Sequence, residues 1–254
     1  MTGKLIVFEG TEGCGKTTQL ARSRQWLSNS RWLPALQKRG VIKDLILTRE
    51  PGGTTLGTTI RQLLLNPASE AIHDRAELLL YAADRAQHVE GFLRPHLAAN
   101  DLILCDRYTD STIAYQGYGR GLDFTLIGHL NQIATQGLQS DLTLWLDLDV
   151  ETGLARMQQR GKGDSQGSSP IGDSQGSSPI GDSQGSSPIG DRIEQADVDF
   201  HRRVRHGFAH LAQTEPQRFV RVDASGSELQ VAERIEIVLS ESLSQWFNLA
   251  SYEV

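Results

Sequence analysis

Only two cysteines, Cys14 and Cys105, occur in 254 residues. They could pair, but a lone pair in a chain this long reads more simply as reduced thiols in a cytoplasmic protein. Basic residues are also short, with 25 Lys and Arg against 31 Asp and Glu and a net charge of -6. That balance argues against a general nucleic-acid binder, which needs a basic face, while leaving room for a local basic pocket around a small anion. No apolar run approaches a membrane span, and the opening MTGKLIVFEG lacks the apolar core of a leader peptide. The Asn-Lys-x-Asp signature by which GTPases read guanine is missing, and no strand ends in the paired Asp-Glu usual in mechanochemical ATPases. The expectation is a soluble cytoplasmic α/β protein with a real core and neither a nucleic acid nor a membrane as partner.

Short apolar runs alternate with helical patterns. Leu5–Glu9, Leu45–Thr48, Leu102–Asp106, Leu142–Leu148 and Arg218–Asp223 read as strands, most of them continuously apolar, as strands covered on both faces are. Helical patterns cover Thr17–Leu27, Ile60–Leu65, Ala76–Glu90, Leu126–Thr135, Val150–Arg160, Ile193–Leu211 and Glu228–Leu239. The rhythm predicts a five-stranded parallel sheet with right-handed crossovers and helices on both faces, a three-layer α/β fold. Ligands of such sheets collect at the carboxyl ends of the strands.

Gly10-Thr11-Glu12-Gly13-Cys14-Gly15-Lys16-Thr17 fits G-x-x-x-x-G-K-[ST], and it follows a strand and opens a helix. Glycines let backbone N–H groups turn inward on phosphate oxygens, and the helix N-terminus adds the positive end of its dipole. Lys16 is positioned to reach the β- and γ-phosphates of ATP, and Thr17 to ligate Mg²⁺. The third strand ends Asp106-Arg107-Tyr108, which puts an acid where it can reach the same metal and beside it a guanidinium fork suited to a second phosphate. The second strand ends Thr48-Arg49-Glu50-Pro51-Gly52-Gly53-Thr54, with another arginine at a carboxyl end. Two such arginines facing a phosphate loop suggest an acceptor phosphate held in line with a donor, the geometry of a nucleoside monophosphate kinase.

In family order the chain carries FEGTEGCGKTTQ, TREPGGT, LLLYAADRAQHV, DRYTDSTIAYQGYGRGLD and RGKG…DRIEQ. Together these resemble the thymidylate kinases of the bacterial type, over nearly the whole chain. The resemblance implies one P-loop NTPase-like domain over residues 1–254, strand order 2-3-1-4-5, a homodimer, and transfer of a phosphoryl group from ATP to dTMP with Mg²⁺. It implies a donor site on Gly10 to Thr18, including Thr11, Gly13, Cys14, Gly15 and Thr18, and a metal held by Thr17 and Asp106. Arg49 and Arg107 would clamp the dTMP phosphate, and Glu12 would meet the sugar 3′-hydroxyl. Tyr81 would stack on thymine, Arg85 donate to a thymine carbonyl, and Thr112 bond the N3 edge. Tyr115 and Gln116 would crowd the sugar, with Ser111 nearby. The family's bacterial type has no arginine inside the phosphate loop, and here that place is Gly13. The resemblance therefore assigns the missing charge to lid arginines, with Arg160 and Arg192 as candidates and Arg156 flanking. Asp191 and Glu194 keep the family's Asp-x-x-Glu spacing. The alternatives are a related kinase of a different nucleotide or nucleoside and a nucleotide-binding P-loop regulatory or scaffold protein without acceptor-dependent turnover.

The chain departs from the pattern in the lid. From Gly163 the unit GDSQGSSPI is written three times, and Gly190-Asp191 repeats its first two letters. Each unit has one Pro, two Gly, three Ser and a single apolar residue, so no buriable face recurs. Without the three units the flanks close as RGKGDRIEQ. Residues 163–190 are thus expected to be a flexible insertion in a lid loop, which lengthens that loop at about 1 kcal/mol of closure entropy.

Overall fold

The apolar runs pair side by side, each buried by a layer of helices above and below. The structure is a computed structural model that describes residues 3–66, 71–163 and 196–248. The strands are β1 (Lys4–Glu9), β2 (Leu45–Arg49), β3 (Leu102–Asp106), β4 (Leu142–Asp147) and β5 (Phe219–Asp223). They form one parallel sheet in the order β2-β3-β1-β4-β5, as expected.

The helices are α1 (Lys16–Asn29), α2 (Trp32–Lys38), α3 (Thr55–Leu65), α4 (Asp74–His88), α5 (Arg94–Ala98), α6 (Thr109–Thr112), α7 (Phe124–Thr135), α8 (Val150–Gly163), α9 (Val198–Thr214) and α10 (Glu228–Phe247). Wide helical turns over Val89–Leu93 and Ile113–Gly119 join α4 to α5 and extend α6. Period-2 alternation divides the core. Ile6 and Phe8 of β1 face one layer with Leu20, Leu27, Leu36, Leu239 and Leu243. Leu5 and Val7 face the other with Val89, Leu93, Ile103 and Tyr108. Beside that second layer, Trp145 and Phe219 pack beneath Phe200, Val204 and Phe208 of α9. Each of these fully buried side chains is worth roughly 1.5–3 kcal/mol against exposure.

The structure departs from the expected boundaries for local reasons. Helix α10 continues two turns past Leu239, because Leu243 and Phe247 extend its buried stripe, and it starts on a capping box between Ser227 and Gln230. Helix α3 begins earlier than Ile60, where the Thr54 side chain accepts from the Gly57 N–H. Helix α7 begins on Asp123, whose carboxylate accepts from the Leu126 N–H at 2.8 Å. Strand β4 ends at Asp147 rather than Leu148. The helix expected over Ile193–Leu211 is described from Val198 and ends at Thr214, with Ile193 to Gln195 outside the described residues. Helix α2 was not expected: its Pro34 lies in the first turn, where a missing N–H costs no helical bond. The repeat from Asp164 to Gly190 also lies outside the described residues.

Candidate active site

Sheet register assembles the site. Phe8 pairs with Asp106, and Arg49 pairs with Asp106 from the other side. The carboxyl ends of three adjacent strands therefore deliver the phosphate loop, the Asp-Arg-Tyr segment and Arg49 to one edge. A cavity of about 330 Å³ opens there. It is lined by fourteen of the expected residues: Glu12, Gly13, Gly15, Lys16, Thr17, Arg49, Tyr81, Arg85, Asp106, Arg107, Ser111, Thr112, Tyr115 and Gln116. A second cavity, about 580 Å³, lies against Gly13, Cys14, Gly15 and Thr18, with Arg156, Gln159, Gly226 and Glu228. Gly13 and Gly15 line both, so this part of the loop forms a wall common to the two. Gly10 and Thr11 line neither; their carbonyls accept from Lys16 Nζ at 2.9 and 3.1 Å. Arg192 lies outside the described residues, as does the side chain of Arg160.

The loop's backbone explains its glycines. Gly15 precedes α1 in the left-handed region, and no side chain caps the first turn, so its N–H groups are left for an anion. Gly13 has φ 73°, and a Cβ there would stand 2.1 Å from the Gly153 carbonyl of α8. An arginine side chain cannot occupy position 13 while α8 packs this closely. Gly153, which the sequence did not single out, is the other half of that contact.

Arg107 is the centre of the polar network. Its own backbone has φ 68°, uncommon for a residue with a side chain. The guanidinium donates to Gly10 O at 3.1 Å, Ser111 Oγ at 3.2 Å, Glu12 Oε1 at 2.8 Å and Tyr115 Oη at 3.0 Å. Tyr115 also donates to Glu12 Oε1 at 2.7 Å. Burial works against the charged form of Glu12, but Arg107, His201, Lys16 and Tyr115 outweigh it and hold the carboxyl down at about 2. His201, from α9, was not expected. Its ring is buried, with Nδ1 3.4 Å from Glu12 Oε2.

Beneath this layer sits Glu9, fully buried at the end of β1. Its carboxylate accepts from the N–H groups of Tyr108 and Ser111, both at 3.0 Å, and from Ser111 Oγ at 2.6 Å. Burial pushes its carboxyl up to about 7, with Arg107 and the donors opposing and Asp110 adding to the rise. Gln116 spends its amide on buried Glu77 at 3.0 Å, and Glu77 also takes Arg120 at 3.1 Å. Arg85 is not the surface charge that its helix position alone suggests: it is 2 % exposed and paired with Glu50 at 2.8 Å. Neither Glu9 nor Glu50 carried a role in the sequence, although both stand inside quoted motifs.

A divalent metal fits the residues present. Asp106 Oδ1 is buried without a hydrogen-bond partner and lines the same cavity as Thr17, on the first turn of α1. Hard oxygen donors of this kind suit Mg²⁺. Among the described residues, no helix is long and apolar enough to cross a membrane.

Comparison with known proteins bears on the family. The family model "Thymidylate kinase" matches residues 8–170. The chain is 56 % identical over 250 residues to a thymidylate kinase of a Cyanothece species, covering 97 % of each chain. It is 50 % identical over 252 residues to that of Acaryochloris marina, covering 97 % of this chain and 100 % of the relative. Among solved structures, the thymidylate kinase of Ehrlichia chaffeensis superposes with a TM-score of 0.64 at 28 % identity, over 94 % of this chain and 99 % of that one.

Proposed function

The chain belongs to the thymidylate kinase family, and from that premise we infer that it transfers the γ-phosphoryl group of ATP to dTMP, giving ADP and dTDP for DNA synthesis. The observation that carries the reading at the level of residues is the phosphate loop that lines two cavities at once. A donor on one side and an acceptor on the other meet at its N–H groups, and phosphoryl transfer needs little beyond that positioning and charge neutralisation.

In this reading Lys16 and the amides of Gly10 to Thr18 hold the donor phosphates. Arg49 and Arg107 hold the acceptor phosphate, and Glu12 takes the sugar 3′-hydroxyl. Tyr81 stacks on the base, Arg85 and Thr112 bond its edge, and Tyr115 with Gln116 leaves no room for a ribose 2′-hydroxyl. Thr17 and Asp106 would hold Mg²⁺, which when bound supplies positive charge between the phosphates. Close packing of Gly13 on Gly153 supports a lid origin for the remaining cation, Arg160 or Arg192, because no arginine fits at position 13. The repeat is read as an insertion in that lid. A homodimer is supported by the α3, α4 and α7 layer, whose outer side carries exposed Leu63, Leu79, Phe124 and Ile133. Cytoplasmic residence is consistent with soluble nucleotide substrates and with the two buried, unpaired thiols Cys14 and Cys105.

The test is coupled ADP release with dTMP, dUMP, CMP, UMP and thymidine as acceptors. dTMP is expected to exceed CMP in kcat/KM by at least a hundredfold, because a site built to bond one base edge leaves its polar groups unpaired against another. Comparable values for CMP and dTMP would overturn the acceptor assignment, and turnover independent of any acceptor would overturn the kinase reading.

A further inference from the structure

Along the wall of the acceptor cavity runs a buried chain of side chains: Thr48, Glu50, Arg85 and Thr112 line the cavity, and His88 stands behind them. Thr48 Oγ1 lies 2.7 Å from His88 Nε2, and His88 Nδ1 lies 2.8 Å from Glu50 Oε1. The other carboxylate oxygen, Glu50 Oε2, accepts from Arg85 Nε at 2.8 Å. Arg85 then donates through one terminal nitrogen to Thr112 Oγ1 at 2.8 Å and Asn131 Oδ1 at 2.9 Å, and through the other to the Tyr108 carbonyl at 3.0 Å. Thr48, Glu50, Arg85, His88 and Thr112 are all buried.

A guanidinium has five N–H groups, and four here are committed. The fifth is aimed by the other four. It can only donate, so it suits an exocyclic carbonyl and meets the amino group of cytosine donor to donor. Thr112 is less discriminating: its oxygen already accepts from Arg85, and its hydroxyl can still donate or accept. Base choice therefore rests on the plane in which Arg85 is held. That plane is set by Glu50, and Glu50 is set from behind by His88. An ionised carboxylate only accepts, so His88 Nδ1 carries the hydrogen, and Thr48 anchors the opposite nitrogen. The ring is held closely: it stacks on Phe92 at 5.4 Å between centroids and 24° between planes, and a Cβ on Gly53 would come within 2.5 Å of Nε2.

We propose that His88 and Thr48 are positioning residues for acceptor-base choice, acting through Glu50 on Arg85. The proposal rests on the reading above in which Arg85 faces the base. In short, a histidine outside the ligand cavity fixes which base the cavity accepts.

The experiment compares kcat/KM for dTMP with kcat/KM for dCMP, using purified full-length protein and His88→Gln, His88→Asn, Thr48→Val and Arg85→Lys. The ratio of the two does not depend on how much of a preparation is folded, so a merely structural role leaves it unmoved. His88→Gln keeps a partner for Thr48 but loses the donor to Glu50, and the ratio is expected to fall about tenfold, as misplacement of a binding group does. His88→Asn keeps the donor to Glu50 and Thr48→Val removes only the outer anchor, so each is expected to fall by about threefold. In all three KM for dTMP rises while kcat on dTMP and KM for ATP stay near the parent values. Should one His88 variant fail to fold, the other decides the matter together with Thr48→Val, which exchanges a hydroxyl on the cavity wall for a methyl. If Arg85→Lys collapses the ratio while the Thr48 and His88 variants preserve it, the inference is overturned and the reading of Arg85 stands. If Arg85→Lys itself preserves the ratio, that reading fails and the inference with it.

Discussion

Replacing Glu9 by glutamine removes a single ionisable group from the centre of the molecule and keeps its shape. Glu9 is fully buried, and burial lifts its carboxyl from an ordinary 4.5 to about 7. An acid whose pKa is higher folded than unfolded binds its proton more tightly in the folded state. Its contribution to stability is therefore complete below pH 4.5 and is lost as pH rises through 7. At about 1.4 kcal/mol for each pH unit, the loss is about 3 kcal/mol. Glutamine cannot ionise and escapes it. For a domain of this size 1 kcal/mol moves Tm by roughly 2–4 °C, so the Tm of Glu9→Gln relative to the parent should climb by about 6–12 °C between pH 4.5 and pH 7.5. The assay is thermal unfolding of the two proteins in parallel across that range, without nucleotide or metal. Taking the difference cancels groups common to both, including Asp84, which burial raises from 3.8 to about 6, and Glu12, whose window lies between 4.5 and about 2. A Tm difference that stays constant across the range would refute the reasoning.

The loop and the lid offer separate tests. Lys16→Ala should cut kcat/KM about a thousandfold, because the charge it carries serves the phosphates; its lost bonds to the Gly10 and Thr11 carbonyls should lower Tm by only a few degrees. A purified variant with most of its turnover would end the phosphate-loop reading. Deleting the three repeat units, so that Lys162 joins Gly190, should leave an active kinase with the same acceptor preference and a KM for ATP lower by up to about tenfold. Steady-state kinetics decide it, and loss of turnover as complete as in Lys16→Ala would make the repeat a working part. Arg192→Ala in the same background should lower kcat far more than it changes KM.

The parts of the fold that were legible in the sequence are those where one local pattern has one structural outcome. The apolar runs Leu5–Glu9 and Leu102–Asp106 could only be strands covered on both faces, and the phosphate loop between a strand and a helix could point only one way. Helix α2 was hidden because Pro34 reads as a break unless its place in the first turn is known. The wide turns over Val89–Leu93 and Ile113–Gly119 carry no periodic signature of their own. In the site, Arg49, Asp106 and Arg107 were visible as side chains at strand ends. Their supports were not: Glu50 meets Arg85 from 35 residues away, and Glu9 meets Ser111 from 102. A buried carboxylate beside its own motif looks like any other motif residue until the chain brings its partner to it. His201 follows a stretch whose spacing says nothing of where α9 will lie.

The ion pair between Arg107 and Glu12, closed into a triangle by Tyr115, has a consequence for what the free protein will hold. In the reading proposed above, the guanidinium that takes the acceptor phosphate is already occupied by the carboxylate that takes the sugar hydroxyl. A free inorganic anion that takes Arg107 strands the charge of Glu12 in a buried place. A nucleoside that offers Glu12 a hydroxyl engages Oε2, which has no hydrogen-bond partner among the described residues, and leaves Arg107 held by Oε1. Only a molecule bearing both groups, at the right separation, releases both halves together. On that reading the site is a coincidence detector: phosphate and nucleoside added as separate fragments are expected to bind less tightly than their joined form by more than the linkage alone would give.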